Sequence, residues 1–221
     1  TVWGNIGFSV QGYDYMPDQS NIYGFYTVSL ICNNQTIYSR TIDEVDFSTT
    51  NDINSLIDYE ERLRSKRNYE RMWVEPNNDL KIYTKLVNNG IYQTTENDSA
   101  QCEIRATDVA GNMASIVLRL QQNTVDSLDV RTMPTKQLNS CADTFIYTYG
   151  KFQFKAKPRT FFSDFTCTVT VDESNPKKRY FSKQYKVETD QVIFKKSAEI
   201  IIPYQLPDSL QGKGIIENCG K

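Results

Sequence analysis

The side chains that could do chemistry here are carboxylates, hydroxyls and five cysteines, since none of the 221 residues is histidine. Histidine is the commonest general base and the commonest zinc ligand, so Ser-His-Asp and Cys-His catalysis are excluded within this chain. Glu60 and Glu61 fall on different faces of a helical pattern. Glu44 and Asp46 share one strand face without any sign of a pocket. We therefore predict no catalytic residue, no metal site and no cofactor in this chain.

The stretch RATDVAGNMAS at 105–115 places Asp108, Gly111 and Asn112 between two apolar runs. The Asp108 carboxylate can accept hydrogen bonds from backbone N–H groups two or three residues later. Gly111 and Asn112 both tolerate the left-handed backbone region. We predict a structural hairpin turn. The alternative is a calcium site on Asp108 and Asn112, but calcium takes about six to eight oxygen ligands.

No two of the five cysteines are close enough in sequence to form a Cys-x-x-Cys zinc site. Three of them, Cys32, Cys102 and Cys167, fall on the apolar phase of a strand pattern. We expect buried thiols at these positions, with disulfides as the alternative. The pairing, which also involves Cys141 and Cys219, stays open, and the odd number leaves at least one cysteine unpaired within the chain.

Aromatic residues are abundant, with 14 tyrosines, 11 phenylalanines and 2 tryptophans. Tyr13, Tyr15 and Tyr23 lie around a polar loop, and Trp73 follows a helical pattern. Exposed rings at these four positions could stack on sugars. The alternative is that they are buried in small cores, where most aromatic side chains are found.

The charge of the chain is small in total but uneven along the sequence. The net charge is −2, which gives no reason to expect nucleic-acid binding. Residues 151–200 carry 11 Lys and Arg against 6 Asp and Glu, a local charge of +5. A basic face could bind an anionic envelope polymer. The alternative is an ordinary solvated face of strands.

Period-two alternation runs through most of the chain and predicts strands. In the first half, Val28, Leu30 and Cys32 are expected to face inward before an Asn-Asn turn. A second predicted hairpin places one set of residues on its inner face: Cys102, Ile104, Ala106, Ile116, Leu118 and Leu120. Phe165, Cys167 and Val169 alternate with threonines in the second half.

One segment has helical spacing instead, because its residues follow the i, i+3, i+4, i+7, i+10, i+11 pattern of one helix face: Ile53, Leu56, Ile57, Glu60, Leu63 and Arg64. We predict one amphipathic helix near 52–66, with a Glu60–Arg64 ion pair on it. Turn signals every 8–12 residues favour β-sandwiches. The prediction is an all-β protein with two Ig-like or fibronectin-III-like β-sandwich domains, 1–122 and 123–221, with the helix inserted in the first.

Several ordered motifs carry a resemblance to a known family. They are VWGNIGFSVQGYD, NIYGFYTVSLICNNQTIYSRTIDEVDF, NDINSLIDYEE, PNNDLKIYTKLVNNGIY and ATDVAGNMASIVLRL. In this order they resemble the C-terminal Ig-like accessory region of LytM/lysostaphin-type zinc metallopeptidases, peptidase family twenty-three, of Gram-negative envelopes. The resemblance covers most of 1–122. The histidine pairs that bind zinc in that family have no counterpart here.

The resemblance implies a non-catalytic accessory or scaffolding module of an exported peptidoglycan metallopeptidase-like protein. Its partners would be other protein domains, envelope proteins or peptidoglycan, in the periplasm or at the cell surface of a Gram-negative bacterium. Two alternatives stay open: a subunit or adhesion module of a larger envelope assembly, and part of an active zinc endopeptidase whose site lies outside this chain. The strand pattern at residue 1 leads us to expect a mature or excised piece. No apolar run reaches the length of a transmembrane helix.

Overall fold

A computed structural model describes residues 4–15, 21–94, 99–121, 137–172, 181–190, 193–212 and 214–216. The chain divides into two compact units, Thr1–Thr135 and Lys136–Lys221. The described residues form mostly strands in several antiparallel sheets, so the predicted all-β class is confirmed. The predicted boundary at 122/123 lies outside the described residues. The Ig-like sandwich arrangement stays a prediction.

The first unit contains eleven of the described strands. They are β1 (Asn5–Ile6), β2 (Ser9–Val10), β3 (Asp14–Tyr15), β4 (Ile22–Tyr23), β5 (Thr27–Cys32), β6 (Gln35–Thr41), β7 (Glu70–Arg71), β8 (Tyr83–Leu86), β9 (Tyr92–Gln93), β10 (Ser99–Thr107) and β11 (Met113–Gln121). The main sheet has the order β11-β10-β5-β6-β8. Three two-stranded pairs accompany it: β1-β9, β2-β7 and β3-β4.

The core of this unit lies against one face of the main sheet. Alternation in β5 buries every second residue, and the same alternation continues in β10. Val10 of β2, together with Phe8 and Met72 next to the β2-β7 pair, adds apolar side chains from outside the main sheet. The buried cluster comprises Phe8, Val10, Val28, Leu30, Cys32, Ile37, Tyr38, Met72, Ala100, Cys102, Ile104 and Ala106.

The predicted helix near 52–66 is wrong as a single element. A 3₁₀ helix spans Phe47–Ser55, and a separate α-helix, α1, spans Tyr59–Ser65. Asp58 caps α1 by accepting a hydrogen bond from the Glu61 N–H. The backbone of Asp58 is extended rather than helical, so the segment is divided into two helices at this residue. Leu63, on α1, is 53% exposed. Arg64 pairs with Glu61 rather than with Glu60.

A small second cluster explains why the apolar residues of this segment have helical spacing without forming one helix. Leu56 is buried together with Leu80 and Ile82, and Ile53 packs against them. The apolar spacing therefore reflects contacts made by a 3₁₀ helix and by the turn after it. No helix among the described residues has the length and apolar character needed to cross a lipid bilayer.

The second unit is built from six described strands. They are β12 (Leu138–Asn139), β13 (Phe145–Tyr149), β14 (Phe152–Ala156), β15 (Phe165–Asp172), β16 (Gln184–Thr189) and β17 (Glu199–Ile201). They form two sheets, β12-β15-β16 and β13-β14-β17. Its core is aromatic, with Phe152, Phe154, Phe161 and Phe165 each at most 1% exposed.

A disulfide joins Cys32 and Cys102, so the expectation of free thiols at these two positions is wrong. The two residues are direct partners in the β5–β10 ladder. An apolar strand phase fits a buried thiol and a buried disulfide equally well, and only the register places the two sulfurs together. Cys141 is buried. Cys167 is a free thiol, as expected, but it is half-buried rather than fully buried.

Candidate functional site

An exposed aromatic pair stands on the small β3-β4 hairpin of the first unit. Tyr13 is 47% exposed and Tyr15 is 61% exposed. Their ring centroids are 6.3 Å apart in an edge-to-face arrangement. The Gln11 side-chain amide donates a hydrogen bond of 2.6 Å to the Tyr13 hydroxyl. The two rings thus form one amphipathic surface, with apolar faces and polar hydroxyls.

The other two aromatic residues predicted at this surface have different environments. Tyr23 is 38% exposed and pairs with Asp14 across the hairpin. Because neighbouring residues of a strand point to opposite faces, Tyr23 lies on the face opposite to Tyr15. The structure therefore brings together two of the three tyrosines.

Trp73 is half-buried and has a packing role. A Cβ added at Gly7 would lie 2.9 Å from Cε3 of Trp73, so the indole ring packs against the Gly7 backbone. The Trp73 indole N–H donates to Glu75 at 3.3 Å. The Arg71 guanidinium lies 5.2 Å from the centre of the ring. These contacts support the alternative that Trp73 is a packing residue of the core rather than an exposed ring that stacks on sugars.

The turn at Asp108 links β10 to β11 by local hydrogen bonds. One carboxylate oxygen accepts from the Asn112 backbone N–H at 2.8 Å, and the other accepts from its side-chain amide at 2.6 Å. These bonds hold the pKa of Asp108 below its usual range. Gly111 has a φ of 88°, as the turn requires. Both carboxylate oxygens are therefore occupied by the turn itself.

No cluster of three or more Asp, Glu, Cys or His side chains within the described ranges is placed to hold a metal ion. Asp46, one of the carboxylates considered for chemistry, caps the 3₁₀ helix by accepting from the Ser48 N–H at 2.8 Å. That hydrogen bond lowers the pKa of Asp46. Its role is local and structural.

Sequence reasoning missed a buried ion pair in the first unit. Arg40 is 1% exposed, and its Nε donates to Glu70 at 2.7 Å. Its Nη1 donates to the carbonyl oxygens of Phe25 and Tyr26. The signal was present, because Arg40 is two residues from Tyr38 on the inward phase of β6. A guanidinium in that phase requires a carboxylate partner.

The buried Tyr38 and the half-buried Tyr83 lie beside this ion pair. The rings of Tyr38 and Tyr83 meet edge to face at 5.9 Å. Burial raises the pKa of both hydroxyls well above the usual range of tyrosine. The Tyr83 hydroxyl accepts from the Asn78 amide at 2.7 Å. Neutral, hydrogen-bonded phenols of this kind stabilise the packing of β6 against β8.

The strand β11 exposes apolar side chains on both of its faces. On its outer face Met113 is 61% exposed and Val117 is 54% exposed. Ile116, Leu118 and Leu120 lie on its inner face, as predicted, since Ile116 pairs with the buried Ile104. Leu118 and Leu120 are half-buried there, but Ile116 is 55% exposed. Ile116 is exposed because β11 is the edge strand of the main sheet, and the residues that cover the core do not extend over it.

The basic excess of the second unit gathers in part around one loop. The backbone N–H of Lys195 donates to the Thr160 carbonyl at 2.8 Å. The Lys196 ammonium lies 3.5 Å from the Pro158 carbonyl oxygen. These bonds bring Lys195 and Lys196 next to the exposed residues Lys157 and Arg159. The two alternatives for this basic stretch, a face that binds an anionic polymer and an ordinary solvated face of strands, both stay predictions.

Comparisons of the chain with protein families, with curated proteins and with solved structures find no match.

Proposed function

We propose that this chain is a non-catalytic accessory module of an exported envelope protein, of the kind that accompanies peptidoglycan metallopeptidases, and that it binds cell-wall glycan. The observation that carries the proposal is the exposed Tyr13–Tyr15 pair on the β3-β4 hairpin. The ordered motifs of the first half, which resemble such accessory regions, support it.

The chemistry of the aromatic pair suits a sugar polymer. A tyrosine ring offers an apolar face to the C–H groups of a pyranose and a hydroxyl to its polar edge. Tyr13 and Tyr15 are exposed in the free protein, so binding needs little rearrangement of the hairpin. A preformed aromatic surface gives affinity at low entropic cost.

The Cys32–Cys102 disulfide supports the exported part of the proposal. Disulfides persist in oxidising compartments and are rare in the cytosol. This one is buried and joins two central strands of the main sheet, so it belongs to the folded core. The basic loop around Lys196 would favour the anionic polymers of an envelope.

The test is co-sedimentation of the purified chain with insoluble peptidoglycan. We expect the double variant Tyr13→Ala/Tyr15→Ala to lose at least about tenfold in affinity, as removal of central aromatic contacts does. The matched control is Tyr204→Ala, since Tyr204 is 64% exposed but belongs to the second unit. Wild-type protein that stays in the supernatant would refute glycan binding. Equal losses in both variants would refute the role of the hairpin.

A second candidate function, a subunit of a larger envelope assembly, is favoured by one observation. The edge strand β11 presents nine residues, several of them apolar and exposed, at the open side of the main sheet. Exposed apolar surface of this kind marks protein–protein contacts.

A further inference from the structure

The open edge of β11 carries backbone groups that point away from its own sheet. In β10, the carbonyl oxygens of Gln101 and Thr107 accept hydrogen bonds from Asn33 and Tyr26, on the β5 side. Odd-numbered residues of β10 therefore face β5, and even-numbered residues face β11. Since Ile104 pairs with Ile116, the odd-numbered residues of β11 direct their N–H and C=O groups outward.

The two edges of this sheet differ in how they resist strand addition. The edge strand β8 has four residues and includes Lys85, and its pairing with β6 is irregular. Short length, lysine and irregular register are the usual protections of an edge. By contrast, β11 has nine residues without proline or glycine, and Arg119 is its only charged residue.

We propose that β11 pairs antiparallel with β11 of a second copy of this chain, around a two-fold axis at Val117. In this register Val117 faces Val117, and each outward-pointing N–H of β11 meets a carbonyl of the other copy. The two main sheets then join into one sheet of ten strands. An isologous contact of this type closes on itself and forms a dimer.

The side chains of β11 match one another in this register. On the inner face Ile116 lies opposite Leu118 of the second copy, so the exposed Ile116 gains an apolar neighbour. On the outer face Arg119 lies opposite Ser115, which keeps the two arginines apart. A segment of an unrelated protein would need a sequence matched to this pattern, whereas a second copy provides it by symmetry.

The experiment is sedimentation velocity of the full chain over a concentration series, with Val117→Glu and Val117→Lys as variants. Val117 is 54% exposed, so both substitutions are compatible with folding, which circular dichroism checks. We expect a wild-type dimer that either variant weakens by at least about tenfold, because like charges face each other at the axis. An equimolar mixture of the two variants should dimerise again.

The matched control is Val109→Glu, which adds the same charge at a position 83% exposed in the turn before β11. It should dimerise like the wild type. A wild-type chain that stays monomeric throughout the series would overturn the proposal, even if it captured another protein. A mixture of the two variants that stays monomeric would overturn the axis at Val117. Neither outcome depends on glycan binding, since Tyr13 and Tyr15 lie on another hairpin.

Discussion

The Arg40–Glu70 pair is the most consequential single contact of the first core. Arg40 is 1% exposed and Glu70 is 15% exposed, so neither charge is well hydrated. We expect Glu70→Ala to lower the free energy of unfolding by about 3–5 kcal/mol, because it leaves a buried guanidinium without its counter-charge. Urea unfolding measures this loss.

Two further variants distinguish an unpaired charge from a general packing defect. Glu60→Ala removes an exposed carboxylate and should change stability by less than about 0.5 kcal/mol. Arg40→Met/Glu70→Leu removes both charges and should be more stable than Glu70→Ala alone. A double variant less stable than the single variant would contradict this account of the pair.

Contacts of single residues also show which features of the structure can be predicted from the sequence. The turn at Asp108 depends on a residue four positions away, so its hydrogen bonds could be expected from local spacing. The Arg40–Glu70 pair joins residues 30 positions apart, and its formation depends on how β7 packs beside β6. Local spacing contains no information on that packing. The same limit applies to Trp73, whose burial depends on Gly7.

At the scale of elements, the β5–β10 pairing carries the disulfide. Cys32 and Cys102 are 70 positions apart, and closing a loop of that length stabilises the folded chain by about 4 kcal/mol on the entropic estimate. We expect reduction to lower the urea midpoint of the first unit accordingly. Unfolding with and without dithiothreitol measures the shift. The Cys32→Ala/Cys102→Ala variant should not respond to the reductant, and a response there would assign the effect to another thiol.

The elements themselves divide into those that the sequence determines locally and those that it does not. The hairpins β5-β6 and β10-β11 have short turns with Asn33-Asn34 and Gly111, and both were predicted. The structure of segment 47–65 was not predicted correctly, because its apolar residues are distributed over a 3₁₀ helix, the turn after it and the separate helix α1. A capping aspartate at 58 indicates a helix start within the segment and could have revealed the break.

For the whole molecule, composition and alternation were sufficient to predict the all-β class. The order β11-β10-β5-β6-β8 was not predictable, because it pairs strands distant in sequence. The exposure of β11 follows from that order rather than from its own residues. Its apolar inner phase resembles that of β10, yet β10 lies between two strands and β11 at an edge. The exposed edge of β11, a candidate surface for assembly, therefore could not be predicted from the sequence.

The division into two units leads to a prediction about cooperativity, because the described residues of the aromatic core all belong to the second unit. Phe154 is 1% exposed and meets Phe145 edge to face. We expect Phe154→Ala to lower the free energy of unfolding of the second unit by about 3–5 kcal/mol. Calorimetry should show the shift. Both tryptophans of the chain belong to the first unit, so tryptophan fluorescence reports on that unit alone.

The fluorescence midpoint should therefore stay at the wild-type value in Phe154→Ala, while reduction of Cys32–Cys102 moves it. Ile146→Ala is the matched control, because Ile146 lies on the neighbouring strand β13 but is 54% exposed. It should leave both signals nearly unchanged. If Phe154→Ala moved the fluorescence midpoint as far as the calorimetric one, the two cores would unfold as one cooperative unit. The two units divided at Thr135 would then be separate in geometry but would not unfold independently.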